Sequence, residues 1–566
     1  MALTSLPPEV ILLIVSHLPI QSVAIFPLLC KYFKSVLDSP LVYENVALRY
    51  GYLDEPPSSG SGISLTYGST SQRHETEAVE RAIVIQEAMQ PSLYQGCKTW
   101  KDLVRVRYLL DKNWESGQYT TFLACKLNLG PRSNEDDFSL GIWRFKLDTW
   151  TGTGAWMTSG ITGGHQLWSF EGNLLWQTSL PAHNYPHVEL SGGCCFLFTD
   201  EDIFVYRKAS LNAPSSLSVQ DINRIDAERR RHSNSLIYQP FSKLKHNFPI
   251  AEITATKARF PLYAAYRRDT GYVWNIETGE LKASIDLSCR DDNNDLVFYD
   301  PHTYYIELDE RYLIVAGEFS ISFWSHSGDN KKPRRFPEDY IDPMENLIYP
   351  NSYIAVHHGH NGKNLVAASS NGVIVWVMNY WDMLDGNVDQ EDTTCLVRLK
   401  LDTGQMTIEQ LAVEGNRVVF VAQEGFCRYS LYLINLPKVE TVEEVKKNPP
   451  KLTCLSRSLP TLTAPSRVEM SSDGIFVPGM SALLPGGFLY DISQQSIPPP
   501  AVTVEWYTET STFHTESTSR SVSRLKEYFD QEIQYEEKLK EAMGLPGALE
   551  MARKDTVVGF AFNAQT

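Results

Sequence analysis

The chain has 566 residues, 43% of them hydrophobic and 11% aromatic, with a formal net charge of -17 at pH 7; that is material for a large core and more than one domain. The acidic balance repels a phosphate backbone, and the densest basic runs, Arg229–Arg231 and Lys331–Arg335, are too short to offset it, so nucleic acid is excluded as a partner class. Nine cysteines, an odd number without a CxxC spacing, fit a reducing compartment and not a disulfide framework.

The first element is Leu6 to Tyr43, which carries more apolar surface than so short a segment can bury by itself. The surplus implies a protein partner. Pro7 and Pro8 suit a first helical turn, and Glu9 complements the positive helix start. Val10 to Val15 are apolar without a break, so this helix is hydrophobic nearly all round and must be covered on several sides. Pro19 biases Leu18 out of the helical region, Ser22 is a candidate cap for a second short helix, and Pro27 is expected to break that helix. A third helix follows, with Leu29, Phe33, Val36 and Leu37 on one stripe and Ser39-Pro40 at its end. The same stretch read as a signal peptide or membrane anchor lacks a basic n-region, and two prolines divide it well short of ~20 uninterrupted apolar residues. Neither here nor elsewhere is there a membrane-spanning run.

These residues resemble an F-box, the module by which substrate receptors attach to the Skp adaptor of cullin-based ubiquitin ligases. The resemblance covers roughly the first 45 residues, which sets an F-box domain over 1–50, and rests on Leu6-Pro7 with Glu9, the Leu18-Pro19 break, Leu29-Cys30-Lys31 with Phe33, and Asp38-Ser39-Pro40-Leu41. Pro27 departs from the family's continuous second helix, and Val42-Tyr43 stands where a Leu-Trp pair is common. The resemblance implies an adaptor-binding set of Leu6, Pro7, Ile14, Leu18, Leu29 and Phe33.

Residues 51–117 read as a linker, Pro/Ser/Gly-rich over Pro56–Gly62, followed by helical patterns between about Glu75 and Trp114. The phrase WKDLVRVRYLLDKNWESG, residues 100 to 117, puts Leu103, Val106, Leu109 and Leu110 on one face and ends on Trp114, a side chain suited to plug the helix against the next domain. It resembles the helical connector of F-box proteins whose receptor domain is a WD-repeat propeller.

From about Gln118 the texture changes to short β-branched and aromatic runs separated by Gly, Asp and Asn turns, the signature of an all-β domain over 118–512. The clearest unit runs from Tyr263 to Glu280, a strand, turn, strand and turn with Trp274 closing the second of these strands and Asn275 where a WD repeat has Asp. Similar strand ends occur at Trp168, Tyr206, Trp324, Trp376, Leu433 and Tyr490, which makes about seven blades; six or eight, or a pair of β-sandwiches, remain open on the pattern alone. Residues 209–247, polar and rich in Ser and Asn, read as a surface insertion. The tail, 513–566, carries an amphipathic helical pattern over Ser517–Met543 and a final strand-like run, Thr556 to Phe562, placed to complete a terminal blade.

The fold class expected is therefore multidomain α plus all-β: a three-helix F-box, a helical connector and a C-terminal β-propeller. The chain offers little chemistry. HExxH, GxSxG, a phosphate loop ending in GK[ST] and a GxGxxG fingerprint are all absent from the sequence. His357, His358 and His360 sit next to Asn361-Gly362, a hairpin-tip signature without the Cys or carboxylate company of a metal shell, and Cys194-Cys195 lie in an apolar strand pattern. No catalytic, cofactor-binding or metal-ligating residue is assigned, and no cofactor. The resemblance implies a non-catalytic substrate-recognition subunit of an SCF-type ligase in the cytoplasm or nucleus, partnered by the Skp adaptor, through it by cullin, and by a protein target that in relatives is often phosphorylated. Two alternatives are an F-box scaffold for assembly or trafficking without ubiquitination, and a propeller enzyme with carboxylates or a metal clustered in its funnel.

Overall fold

The computed structural model describes residues 6–18, 20–50 and 97–116, and, between 120 and 507 and over 556–561, the strands and most of the turns joining them. The linker and helical pattern of 51–96, Tyr490 and the helical pattern of Ser517–Met543 lie outside the described residues.

The N-terminal unit holds four short helices: α1 (Pro8–Ser16), α2 (Ile20–Leu29), α3 (Lys31–Leu37) and α4 (Pro40–Arg49). Pro7 is the N-cap of α1 and Pro8 its first residue, where a missing N–H costs no hydrogen bond. Three expectations fail. Ser22 does not cap α2, which opens at Ile20 and holds Ser22 inside its first turn. Pro27 does not break α2, which runs on to Leu29. The proline falls in the last turn, so only the bond to the Val23 carbonyl is lost, and Phe26 is held against Phe33 with ring centroids 4.6 Å apart. Ser39-Pro40 ends α3 but also opens α4, with the proline as first helical residue, which makes the unit four helices rather than three. Tyr43, Val46 and Ala47 of α4 are buried.

Helix α5 (Trp100–Ser116) follows, entered through Thr99, whose hydroxyl and Asp102 carboxylate exchange bonds with each other's backbone N–H in a capping box. Lys101 reaches Asp38, 3.7 Å away, and lies over the Tyr43 ring. Trp100, Leu103, Val104 and Leu110 are buried in the same apolar cluster as Val15, Leu37 and Val46, so α5 and the four helices share one core.

Beyond α5, seven antiparallel sheets of four or more strands follow one another in chain order among the described residues. Blade 1 runs from Ile142 to Gln177, blade 2 from Leu190 to Leu244, blade 3 from Ile253 to Asp286, blade 4 from Tyr305 to Phe336, blade 5 from Tyr353 to Gln405 and blade 6 from Thr407 to Ser456. Blade 7 is composite. Its strands Glu469–Met470, Gly474–Gly479 and Thr556–Ala561 are completed by Thr120–Lys126, the first strand after α5, paired antiparallel with Thr556–Ala561 from Thr120↔Ala561 to Lys126↔Thr556. Joining the chain's early and late strands in one sheet closes the ring and removes its two free ends. This is a β-propeller of seven blades.

Trp168, Tyr206, Trp274, Trp324, Trp376 and Leu433 each fall on the third strand of their blade, as the repeat reading requires. In blade 7 the third strand is Thr556–Ala561. The polar stretch 209–247 is shorter as an insertion than its composition suggests, because Tyr238–Leu244 is the outer strand of blade 2, paired from Ile203↔Leu244 to Lys208↔Tyr238. In the Asn275 turn, Oδ1 accepts the backbone N–H of Glu277 and of Thr278 at 2.9 and 3.0 Å. An acceptor oxygen is all the position needs, so asparagine serves where aspartate is usual.

Candidate functional site

α1 sends Ile11 and Val15 into the core and leaves Val10, Leu13 and Ile14 exposed; α2 buries Ile20 and Val23 and leaves Ile25, Leu28 and Leu29 exposed. Leu28 is 81% and Leu13 58% exposed, values that leave most of a leucine in water. An all-apolar α1 was expected to be covered on several sides, and among the described residues it is covered on one. At ~25 cal/mol per Å² of apolar surface, each such side chain gains ~1.5–3 kcal/mol on being covered. Elsewhere among the described residues the exposed large aliphatic side chains, Leu174, Val219, Leu281 and Val388, are scattered singly over the ring, so the concentration of six on two adjacent short helices marks a protein-docking surface.

Of the six residues assigned to adaptor binding, Pro7, Ile14 and Leu29 are exposed on this unit. Leu6 and Leu18 are half-buried: the Leu6 carbonyl accepts the Tyr32 hydroxyl at 2.9 Å, and the Leu18 carbonyl accepts from the Arg49 guanidinium. Phe33 is 6% exposed and belongs to the core, its ring tilted against those of Phe26 and Tyr32. Val10, Leu13, Ile25 and Leu28 were not singled out from the sequence. The signal was there for α1: once Ile11 and Val15 are its inward i, i+4 pair, Leu13 and Ile14 must point elsewhere.

A second site is the joint with the ring. Trp114 is fully buried, its backbone carbonyl accepts Asn435 Nδ2 at 2.9 Å, and the Arg417 guanidinium lies 4.7 Å over its ring while pairing with Asp111. It belongs to an apolar cluster that continues into blade 6 and the start of blade 7 through Ala412, Val419, Leu431, Leu433 and Val468. Arg417 opens the second strand of blade 6 and Asn435 ends the third, so α5 sits on the end of the ring where first strands turn into second ones. Arg267 and Arg268 lie in the turn between the second and third strands of blade 3, the opposite end. Both are tied to Glu252.

A third feature lines the ring's interior, where first strands of successive blades touch. Lys146 of blade 1 lies 3.7 Å from Glu189 at the edge of blade 2 and 3.8 Å from Glu469 of blade 7. Lys257 of blade 3 lies 2.7 Å from Glu307 of blade 4, and Glu307 lies 3.3 Å from His357 of blade 5. These are the funnel carboxylates that an enzyme would need, but each faces a lysine. Burial alone pushes the Glu307 carboxyl up; Lys257, the His357 hydrogen bond and the neighbouring histidines override it and hold the group far below the usual carboxylate range. A carboxylate so held does not exchange protons near neutrality. Burial pushes the Cys194 thiol up to about 12, which keeps it from acting as a thiolate nucleophile. Among the described residues no three His, Cys, Asp or Glu side chains are grouped to hold a metal ion, and no helix is long and apolar enough to cross a membrane.

With these helices in view, a family model for the F-box domain matches residues 3–45. The N-terminal unit is an F-box. Behind the F-box, solved structures align with the ring at low identity. The structure of U3-55K is 11% identical, with a TM-score of 0.37, covering 62% of this chain and 90% of that one. The Myceliophteria thermophila Cps50 (Swd1) β-propeller domain is 9% identical, with a TM-score of 0.39, covering 64% and 97%. The WD40 repeats of RRP9 are 10% identical, with a TM-score of 0.39, covering 69% and 100%. A comparison with curated proteins gives no match. The propeller assignment rests on the strand pairing itself, and with the F-box ahead of it the chain has the domain order of an F-box/WD-repeat protein.

Proposed function

We infer that the chain is the substrate-recognition subunit of an SCF-type ubiquitin ligase. The observation that carries this reading is the F-box with the aliphatic side chains of α1 and α2 turned to solvent. In this reading Pro7, Ile14 and Leu29, with Val10, Leu13, Ile25 and Leu28, meet the Skp adaptor; cullin joins through the adaptor; and the ring holds a protein target in the cytoplasm or nucleus. The chain contributes position rather than chemistry. α5 shares a core with the F-box at one end and with blade 6 at the other, so a target on the ring is presented at a fixed distance from the conjugating enzyme. Tethering of that kind turns a bimolecular encounter into an intramolecular one at up to ~mM effective concentration. In this reading the target is taken on the end of the ring away from α5, where Arg267 and Arg268 lie.

The test is capture of the full chain from cells under proteasome inhibition. Recovery of adaptor and cullin together with short-lived proteins supports the reading. Adaptor without cullin would make the chain an assembly or trafficking scaffold.

A further inference from the structure

The charged groups of the channel wall occupy one layer. In blades 3, 5 and 6 the register from first to second strand sets Lys257 against Ala264, His357 against Val366 and Ala412 against Val419, all inner positions near the turn. Lys146, Glu307 and Glu469 hold the matching places in blades 1, 4 and 7, and Glu189 precedes the first strand of blade 2. The layer thus carries three carboxylates and two ammonium groups, with His357 as its sixth polar member and Ala412 as its apolar gap.

Both ring nitrogens of His357 face groups that can only accept. Nδ1 is 3.3 Å from Glu307 Oε2, and Nε2 is 3.0 Å from the backbone carbonyl of Leu411 in blade 6. A neutral imidazole has one N–H and one lone pair, so one of these contacts would set a lone pair against an acceptor oxygen. Only the imidazolium donates to both. Protonated His357 also brings the layer to three positive against three negative charges. The neighbouring His358 has mixed surroundings: the Arg259 guanidinium, which can only donate, lies 3.0 and 2.7 Å from its two nitrogens, while its Nε2 also faces the Leu308 carbonyl at 2.9 Å and lies 3.7 Å from Glu307 Oε1.

We propose that His357 is a proton-binding site that staples blades 4, 5 and 6 of the ring, held as the imidazolium between the Glu307 carboxylate and the Leu411 carbonyl. The groups around it are consistent in sign. From blade 4 come Glu307 and, edge-on at 5.3 Å, the Tyr305 ring; Glu310 pairs with Arg259. Lys257 and Arg259 of blade 3 lie behind Glu307 and His358, and Tyr380 stands near His358. On blade 6 the remaining titratable groups of the first strand are Glu409 and Glu414. A folded ring that holds a proton which the unfolded chain releases at the ordinary histidine value of ~6.5 is stabilised below that pH, and the contribution is lost as pH rises through the folded value. Alkaline conditions therefore loosen the contact between blades 5 and 6, and blade 6 is the blade that carries α5.

The experiment uses the full chain with carbon-13-labelled histidine imidazoles, His357 being assigned by its missing signal in His357→Gln and told from its neighbour by His358→Gln. The expected result is a His357 titration midpoint at least about one pH unit above ~6.5, and a thermal midpoint that falls in wild type between pH 6.5 and 9 with a smaller fall in His357→Gln. A His357 midpoint at or below ~6.5 overturns the proposal, and it does so in wild-type protein even if the variant does not fold. Parallel thermal profiles of wild type and a folded His357→Gln overturn it too.

Discussion

Trp114 is a buried side chain by which α5 reaches the ring, and Trp114→Ala tests whether that joint is rigid. The indole is fully buried, packed in the cluster of Val419, Leu431 and Leu433, with the Arg417 guanidinium 4.7 Å over its face. Its backbone carbonyl keeps Asn435 in the variant, and Arg417 keeps Asp111, so the loss is confined to the side chain. Removal of an indole from such a site costs about 3–5 kcal/mol, cavity included. With an unfolding entropy of about 2.1 cal/mol/K per residue over a ring of ~400 residues, that corresponds to a fall of roughly 4–6 °C in thermal midpoint if the joint melts with the ring. If α5 undocks first, the ring's midpoint moves less and the chain becomes cleavable just after Ser116. Scanning calorimetry with limited proteolysis reads both. An unchanged midpoint together with unchanged cleavage after Ser116 would refute the rigid joint, whatever the indole's burial.

Leu13→Asp with Leu28→Asp should weaken adaptor binding by about 2–4 kcal/mol in titration calorimetry while the circular dichroism of the chain is kept, because both side chains are already in water. Phe33→Ala should instead destabilise the F-box by about 3–5 kcal/mol, since that ring is core; equal loss of binding and stability in all these variants would argue against a separate docking face. Glu307→Gln should cost about 3–5 kcal/mol by leaving Lys257 buried without its carboxylate. Because the Glu307 carboxyl is held low, its contribution is present above the unfolded value of ~4.3 and is lost as pH falls; the wild-type advantage should be flat from about pH 6 to 5 and shrink below ~4. Cys194, its thiol pushed up to about 12 by burial, should resist maleimide at pH 7.5 until the ring is unfolded, and fast labelling of folded protein would contradict its assigned burial.

What the sequence made legible was local. The strand-ending aromatics marked the third strand of a blade because a large side chain at that place fills the space between sheets: Trp168, Trp274 and Trp376 are all fully or nearly fully buried. The proline rules were right in kind and wrong in consequence at two points. Pro27 is tolerated because so little helix follows it, and Pro40 opens a helix as well as closing one. Phe33 sits on the same stripe as Val36 and Leu37, and a stripe alone does not say whether it faces its own core or a partner. The channel layer was invisible in the sequence. Lys146, Glu189, Lys257, Glu307, His357 and Glu469 are spread over six blades of the chain, and only closing the ring makes them neighbours.

The pairing of Thr120–Lys126 with Thr556–Ala561 sets an order of events during synthesis. Blades 1 to 4 and blade 6 are each built from strands close together in the chain; blade 5 also takes Val502–Tyr507, paired with Thr394–Leu401, and blade 7 waits for Thr556–Ala561. The F-box and α5 therefore emerge while the ring is still open, with Thr120–Lys126 holding no partner and its edge available to other chains. A chain that stops between blade 6 and residue 556 would carry its F-box helices and lack the seal of its ring; on the function proposed above, such a product would occupy adaptor while offering no finished platform for a target.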